Sequence, residues 1–318
     1  MKVILILPYF GTLPKYFSLY LNSCGCNKNF NWLIITDDHT NYLYPPNVRV
    51  VYKSFSDVRE MIQNKFDFSI SLECPQKLCD YRPAYGYIFQ EYVKDYQFWG
   101  HCDPDCIWGN LERFITPEIL QKYDKVFTHG HLTLYRNSEA NNIRFTYACR
   151  GESDYYKLVF STRKGLIFDE QYIKSINNIY EDNGFKMYAS DAMADIDPYH
   201  TNLRLSIFDY TKRKYLLETI KKQVFVWADG EVKRYYKKND KIIEQYFAYI
   251  HLQKREMETI VWDGSSWVLI TPNKFLQIKR GISNKLLDHY HYSWINSQFF
   301  KVKYRFLIMK LKHFFNKS

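Results

Sequence analysis

The chain has 318 residues, 46% apolar and 19% aromatic, enough to bury a sizeable core and to exclude a disordered or low-complexity polypeptide. Its formal net charge is +10, but Lys301, Lys303, Arg305, Lys310, Lys312 and Lys317 supply six of those charges within the last eighteen residues, which contain no acid. The body is therefore near balance, which argues against a general nucleic-acid groove, and no helix-turn-helix or RNP-type pattern is visible.

Residues 1–8 form a short apolar run rich in β-branched residues and stopped by Pro8, the pattern of a buried parallel strand. That run is only a strand's length and lacks a signal cleavage pattern, so the expectation is a protein neither secreted nor anchored at its N-terminus. Seven cysteines, odd in number and without zinc spacing, are read as free thiols of a reducing cytoplasm. A loop around Gly11 follows, then a helix over 14–24, a second buried strand over 32–36 ending in Asp37-Asp38, and a third over 48–52. Helices are expected over 55–65 and 83–95, and a fourth strand over 97–102. This βαβ series places its polar groups at strand C-terminal ends, where open α/β sheets bind ligands.

The fourth strand runs directly into Asp103-Pro104-Asp105. On an extended backbone, side chains at i and i+2 point to the same side, and proline keeps the segment out of a helix. Two carboxylates so placed suit Mg²⁺ or Mn²⁺, hard cations that leave further positions for phosphate oxygens and water. A polar turn is the plainer reading of the same three residues.

The segment Lys77-Leu-Cys-Asp80-Tyr-Arg82-Pro83-Ala-Tyr85-Gly86, followed by Trp99-Gly-His-Cys-Asp103-Pro-Asp105 and Gly109, resembles GT-A glycosyltransferases. More narrowly it resembles a poorly characterised group of bacterial glycosyltransferases found in capsule and lipopolysaccharide clusters, over roughly residues 1–260. The resemblance implies transfer of a sugar from a nucleotide-sugar, with a metal held by Asp103 and Asp105 bridging to the diphosphate. Leaving-group charge must be stabilised whatever the enzyme's name, so a metal and basic side chains are expected. His251 is the candidate third ligand and Lys254 a phosphate contact; the glycine and Lys-Pro-Trp that follow a late histidine in other GT-A families are missing here.

Arg82, before the helix at 83, is read as a phosphate or ribose contact, with an Asp80–Arg82 surface pair as the plain alternative. Pro8, Tyr9, Phe10 and Gly11 form a loop where a uracil ring can stack, and Asp37 and Asp38 are read as base or ribose contacts or as turn caps. Residues 125–137 read as one strand in which His129 and His131, around Gly130, contact the acceptor or donor sugar. Asp169, Glu170 and Asp191 are the candidate catalytic bases, with Glu181-Asp182 as further carboxylates; a helix over 171–179 and a short helix capped by Asp191 are the alternatives.

Late in the chain, Ala228-Asp229-Gly230 between two apolar-aromatic runs signals a β-hairpin over 224–235. In the tail, Phe300, Tyr304, Leu307, Leu311, Phe314 and Phe315 share one stripe of a helix flanked by lysines, the build of a helix lying on an anionic membrane. The expected fold is α/β: a GT-A-like, Rossmann-like, mixed and mostly parallel sheet flanked by helices, with a nucleotide-sugar half at 1–110, an acceptor half at 111–288 and a basic amphipathic tail at 289–318. The expected activity is Mn²⁺- or Mg²⁺-dependent transfer from a UDP-sugar to a bacterial surface polysaccharide or lipid-linked saccharide. The protein is expected in the cytoplasm, peripheral at the inner face of the membrane and without nucleic acid. A nucleic-acid-binding protein and a non-catalytic scaffold of the same fold are the alternatives.

Overall fold

A computed structural model describes residues 1–170, 174–253, 255–258, 260–291, 295 and 297–315. The chain divides into two compact units without a single cut point: Met1–Leu13, Asn27–Pro104 and Ile115–Ser190 form the first, and Pro14–Cys26, Asp105–Phe114 and Asp191–Ser318 the second. The chain thus passes from one unit to the other inside the Asp-Pro-Asp motif.

The first unit is α/β. Strands β1 (Val3–Tyr9), β2 (Phe30–Thr36), β3 (Val48–Tyr52) and β4 (Phe98–Cys102) are parallel neighbours. The short β5 (Cys106–Trp108) belongs to the second unit, and β6 (Lys125–His129), β7 (Leu132–Arg136) and β8 (Met187–Tyr188) return to the first. The seven-stranded sheet has the order β3-β2-β1-β4-β7-β6-β8, with β7 antiparallel to both its neighbours. Ile4 and Ile6 of β1 and Leu33 and Ile35 of β2 pack with the helix Phe55–Gln63 and with Tyr81, Tyr85 and Ile88 in one core, and the residues between them, Leu5 and Ile34, are buried too, which is why the strands read as unbroken apolar runs. Ser54 starts that helix with a reciprocal capping box to Asp57.

Two expected elements between residues 83 and 137 differ. Residues 125–137 form a β6–β7 hairpin, not one strand; the chain turns at Gly130, and Phe127 takes a positive φ of 70° where the register shifts. The helix over 83–95 is broken into Arg82–Ala84, Tyr85–Ile88 and Gln90–Val93, interrupted where Phe89 leaves helical geometry at φ −102°, ψ 29°.

The second unit is mostly β. After β9 (Met193–Asp195) come a hairpin of β10 (Ser206–Asp209) and β11 (Lys214–Leu217), then β12 (Gln223–Ala228), β13 (Glu231–Lys238), β14 (Lys241–Phe247), β15 (Tyr249–His251), β16 (Trp267–Ile270) and β17 (Phe275–Ile278). A five-stranded antiparallel sheet has the order β14-β13-β12-β16-β17, and a three-stranded sheet the order β5-β15-β9. The expected hairpin is β12–β13, and its two turn residues Asp229 and Gly230 have φ of 53° and 74°, as a type I′ turn requires. The short helix expected at Asp191 is absent: Met193–Asp195 is recruited as β9 beside β15. The helix expected over 171–179 is Ile176–Asp182, with 171–173 outside the described residues.

Candidate active site

The strand order turns over at β1, which has β2 on one side and β4 on the other, and such a point leaves a crevice at the strand C-terminal ends. The first unit has a pocket of ≈ 200 Å³ there. Pro8, Tyr9 and Phe10 line it from the end of β1, Cys79 and Arg82 from the helical segment before β4, and Asp103 from the end of β4. Gly11 takes a φ of 94°, and its N–H donates to Asp37 Oδ1 (2.7 Å), while the Leu13 N–H donates to Asp38 Oδ2 (2.9 Å). Asp37 and Asp38 therefore brace the loop after β1, and the Leu13 bond chiefly lowers the Asp38 pKa.

Arg82 is the hub of the first unit's polar groups. Its Nη2 donates to Asp103, and its Nη1 donates to Asp169 Oδ2 (2.8 Å) and to the Gly130 carbonyl (2.9 Å). Burial opposes its charge, yet Asp103 and Asp169 hold its pKa well above the ordinary value. The Asp80–Arg82 pair does not form; Asp80 is buried on Lys77 Nζ (2.6 Å). Asp80 also accepts from the Leu166 N–H (3.0 Å) and the Phe168 N–H (3.0 Å), fixing the loop that delivers Asp169 to Arg82. Gly130 leaves room for this pair, since a Cβ there would lie 2.5 Å from Asp169 Oδ2 and 3.0 Å from Arg82 Nη1 and would force the two side chains to shift.

The three base candidates occupy different surroundings. Asp169 is buried, its carboxyl pKa raised by that burial against the pull of Arg82. Glu170 accepts the Gly130 N–H (2.8 Å). Asp191 is exposed ahead of β9, and partial burial of its carboxyl raises its pKa. His129 and His131 are buried with rings stacked 5.2 Å apart at 10°, and the His131 carbonyl accepts the Asp103 N–H (3.3 Å).

In the second unit, β15 lies between β5 and β9, with His251 opposite Cys106 on one side and Asp195 on the other. His251 Nε2 lies 3.2 Å from Asp105 Oδ1, and its Nδ1 lies 2.8 Å from Asp195 Oδ1. The Leu252 N–H donates to the Asp105 carbonyl (2.9 Å), tying the start of this unit's segment to β15. Burial works against a charged His251 ring, but the two carboxylates outweigh it and raise the pKa well above the usual histidine range. Two cis ligands bonded at about 2.1–2.2 Å sit about 3 Å apart, so this oxygen and imidazole nitrogen are close enough to share one divalent metal ion. Lys254 lies outside the described residues. Asp195 and Gln253, whose Nε2 donates to Asp195 Oδ1 (2.9 Å), were not singled out by the sequence, in which the segment after Asp191 reads as a short capped helix.

A family model described as "Family of unknown function (DUF6625)" matches residues 5–279. No curated protein matches the chain. Among solved structures, the apo form of mouse xyloside xylosyltransferase 1 is 9% identical, over 62% of this chain and 88% of that one, with a TM-score of 0.39. The galactosyltransferase LgtC in complex with donor and acceptor sugar analogs is 8% identical, over 61% of this chain and 75% of that one, with a TM-score of 0.35.

Proposed function

We propose that this chain, which belongs to the DUF6625 family, transfers a sugar from a nucleotide-sugar, a UDP-sugar in the first instance, to a saccharide or lipid-linked saccharide acceptor. The observation that carries the reading is the pairing of His251 Nε2 with Asp105 Oδ1 at 3.2 Å, because it joins the Asp-Pro-Asp motif to a histidine distant in sequence as a ligand pair. Asp103, two residues before Asp105 in the chain, is proposed as the third ligand of Mn²⁺ or Mg²⁺. Bound there, the ion would neutralise the diphosphate as the sugar–phosphate bond breaks.

The protein's own groups do the rest. The pocket beside Pro8, Tyr9 and Phe10 is proposed to take the uracil and ribose, with Asp37 and Asp38 holding its loop in shape. Arg82 is proposed as the cation that meets the leaving phosphate, kept in place by Asp169. If transfer inverts the anomeric centre, a carboxylate must take the acceptor proton, and Asp191 is favoured over Asp169 and Glu170 because it alone of the three is exposed. His129 and His131 are proposed to shape the sugar subsite, and Lys254 to contact phosphate.

The acceptor is proposed to be a growing bacterial surface polysaccharide on a lipid carrier, with the protein cytoplasmic, held peripherally at an anionic membrane surface and not engaged with nucleic acid. Support comes from the helix Ser297–Phe315, which leaves Phe300, Tyr304, Leu307 and Leu311 exposed. Among the described residues no helix is long and apolar enough to cross a membrane. The test is UDP release over a panel of UDP-sugars. Turnover with Mn²⁺, abolished by EDTA and by Asp103→Asn, supports the proposal; undiminished turnover under EDTA removes the metal from it.

A further inference from the structure

Asp195 lies on β9, in parallel register with His251 on β15, and both side chains are buried. Its Oδ1 accepts from Gln253 Nε2 (2.9 Å) and faces His251 Nδ1 at 2.8 Å. A carboxylate oxygen accepts here, so the proton of this contact sits on Nδ1, and Nε2, the nitrogen facing Asp105, is the atom that would bind a metal once its own proton is released. Resting on the metal reading above, we infer that Asp195 is a positioning residue: it fixes the tautomer and ring direction of His251, and Gln253 fixes Asp195 in turn. Partners of this kind contribute about 10- to 100-fold in metal affinity.

The test is Mn²⁺ binding to the full chain, read by electron paramagnetic resonance without donor or acceptor. Asp195→Asn keeps a carbonyl acceptor for Nδ1 and should bind Mn²⁺ within about threefold of wild type, whereas Asp195→Leu removes the acceptor and should bind about 10- to 100-fold more weakly. Equal affinity in Asp195→Leu, or a loss in Asp195→Asn as large as in Asp195→Leu, would overturn the inference. If Asp195→Leu does not fold by circular dichroism, Gln253→Ala replaces it: weakened Mn²⁺ binding supports the inference and unchanged binding refutes it. A wild-type chain that binds no Mn²⁺ would instead remove the metal site itself, so the two failures are separable.

Discussion

Among single residues, His251 joins two carboxylates of the second unit, with Asp105 Oδ1 at 3.2 Å from its Nε2 and Asp195 Oδ1 at 2.8 Å from its Nδ1. Asp103 and Asp105 stand out because two carboxylates two residues apart follow a buried strand directly. Arg82 was noticed too, but its partners Asp103 and Asp169 come from β4 and from a loop held by Asp80, and no local pattern encodes that meeting. Asp195 was missed because its role comes from the pairing of β9 with β15. A buried cation makes a separate prediction. Burial pushes the Lys125 ammonium down to about 7, and the neutral amine's two N–H groups match its two close acceptors, the Phe127 carbonyl (2.7 Å) and Asn177 Oδ1 (2.6 Å). From pH 7 to the unfolded lysine value of about 10.4, the unfolded chain carries the extra proton, so this group's contribution to stability rises with pH. Urea unfolding of wild type against Lys125→Met should show the difference shifting in favour of wild type by a few kcal/mol, at about 1.4 kcal/mol per unit, between pH 7 and 10. A pH-independent difference would show that Lys125 stays charged in the fold.

At the scale of elements, period and punctuation located most strands of the first unit, and the type I′ turn at Asp229-Gly230 located the β12–β13 hairpin. The Gly130 turn was harder to read because β6 and β7 are buried on both sides of it and the reversal takes only Gly130-His131, with no Asn-Gly or Pro-Gly pair to mark it. The two segments that carried the family resemblance turn out to pack on one another. A Cβ on Gly86 would lie 2.2 Å from Trp99 Nε1, and one on Gly100 would lie 2.4 Å from the Thr133 carbonyl of the neighbouring strand. These glycines permit a close approach of helix to strand and of strand to strand. Gly100→Ala should therefore destabilise the fold by about 1–3 kcal/mol through overpacking. An unchanged urea midpoint would show that β4 and β7 can separate without cost.

At the scale of the whole molecule, the interleaving of the two units could not be read from the sequence, because each unit is assembled from distant segments. The terminal helix combines two readings that the sequence set against each other. Val302 is buried and the Phe306 ring meets His200 at 5.6 Å, so the helix docks on the second unit, while Phe300 (63% exposed), Tyr304 (66%), Leu307 (54%) and Leu311 (44%) face outward. Tyr304→Glu with Leu307→Glu should therefore abolish sedimentation with anionic vesicles and leave thermal stability unchanged; equal sedimentation would assign the stripe another role. The central claim concerns the metal and the nucleotide together, and calorimetric titration of UDP into the full chain with and without Mn²⁺ tests it most directly. Binding should require Mn²⁺ and weaken by more than about tenfold in Asp105→Asn; UDP binding of equal strength without the metal, or in that variant, would contradict a metal-dependent nucleotide site.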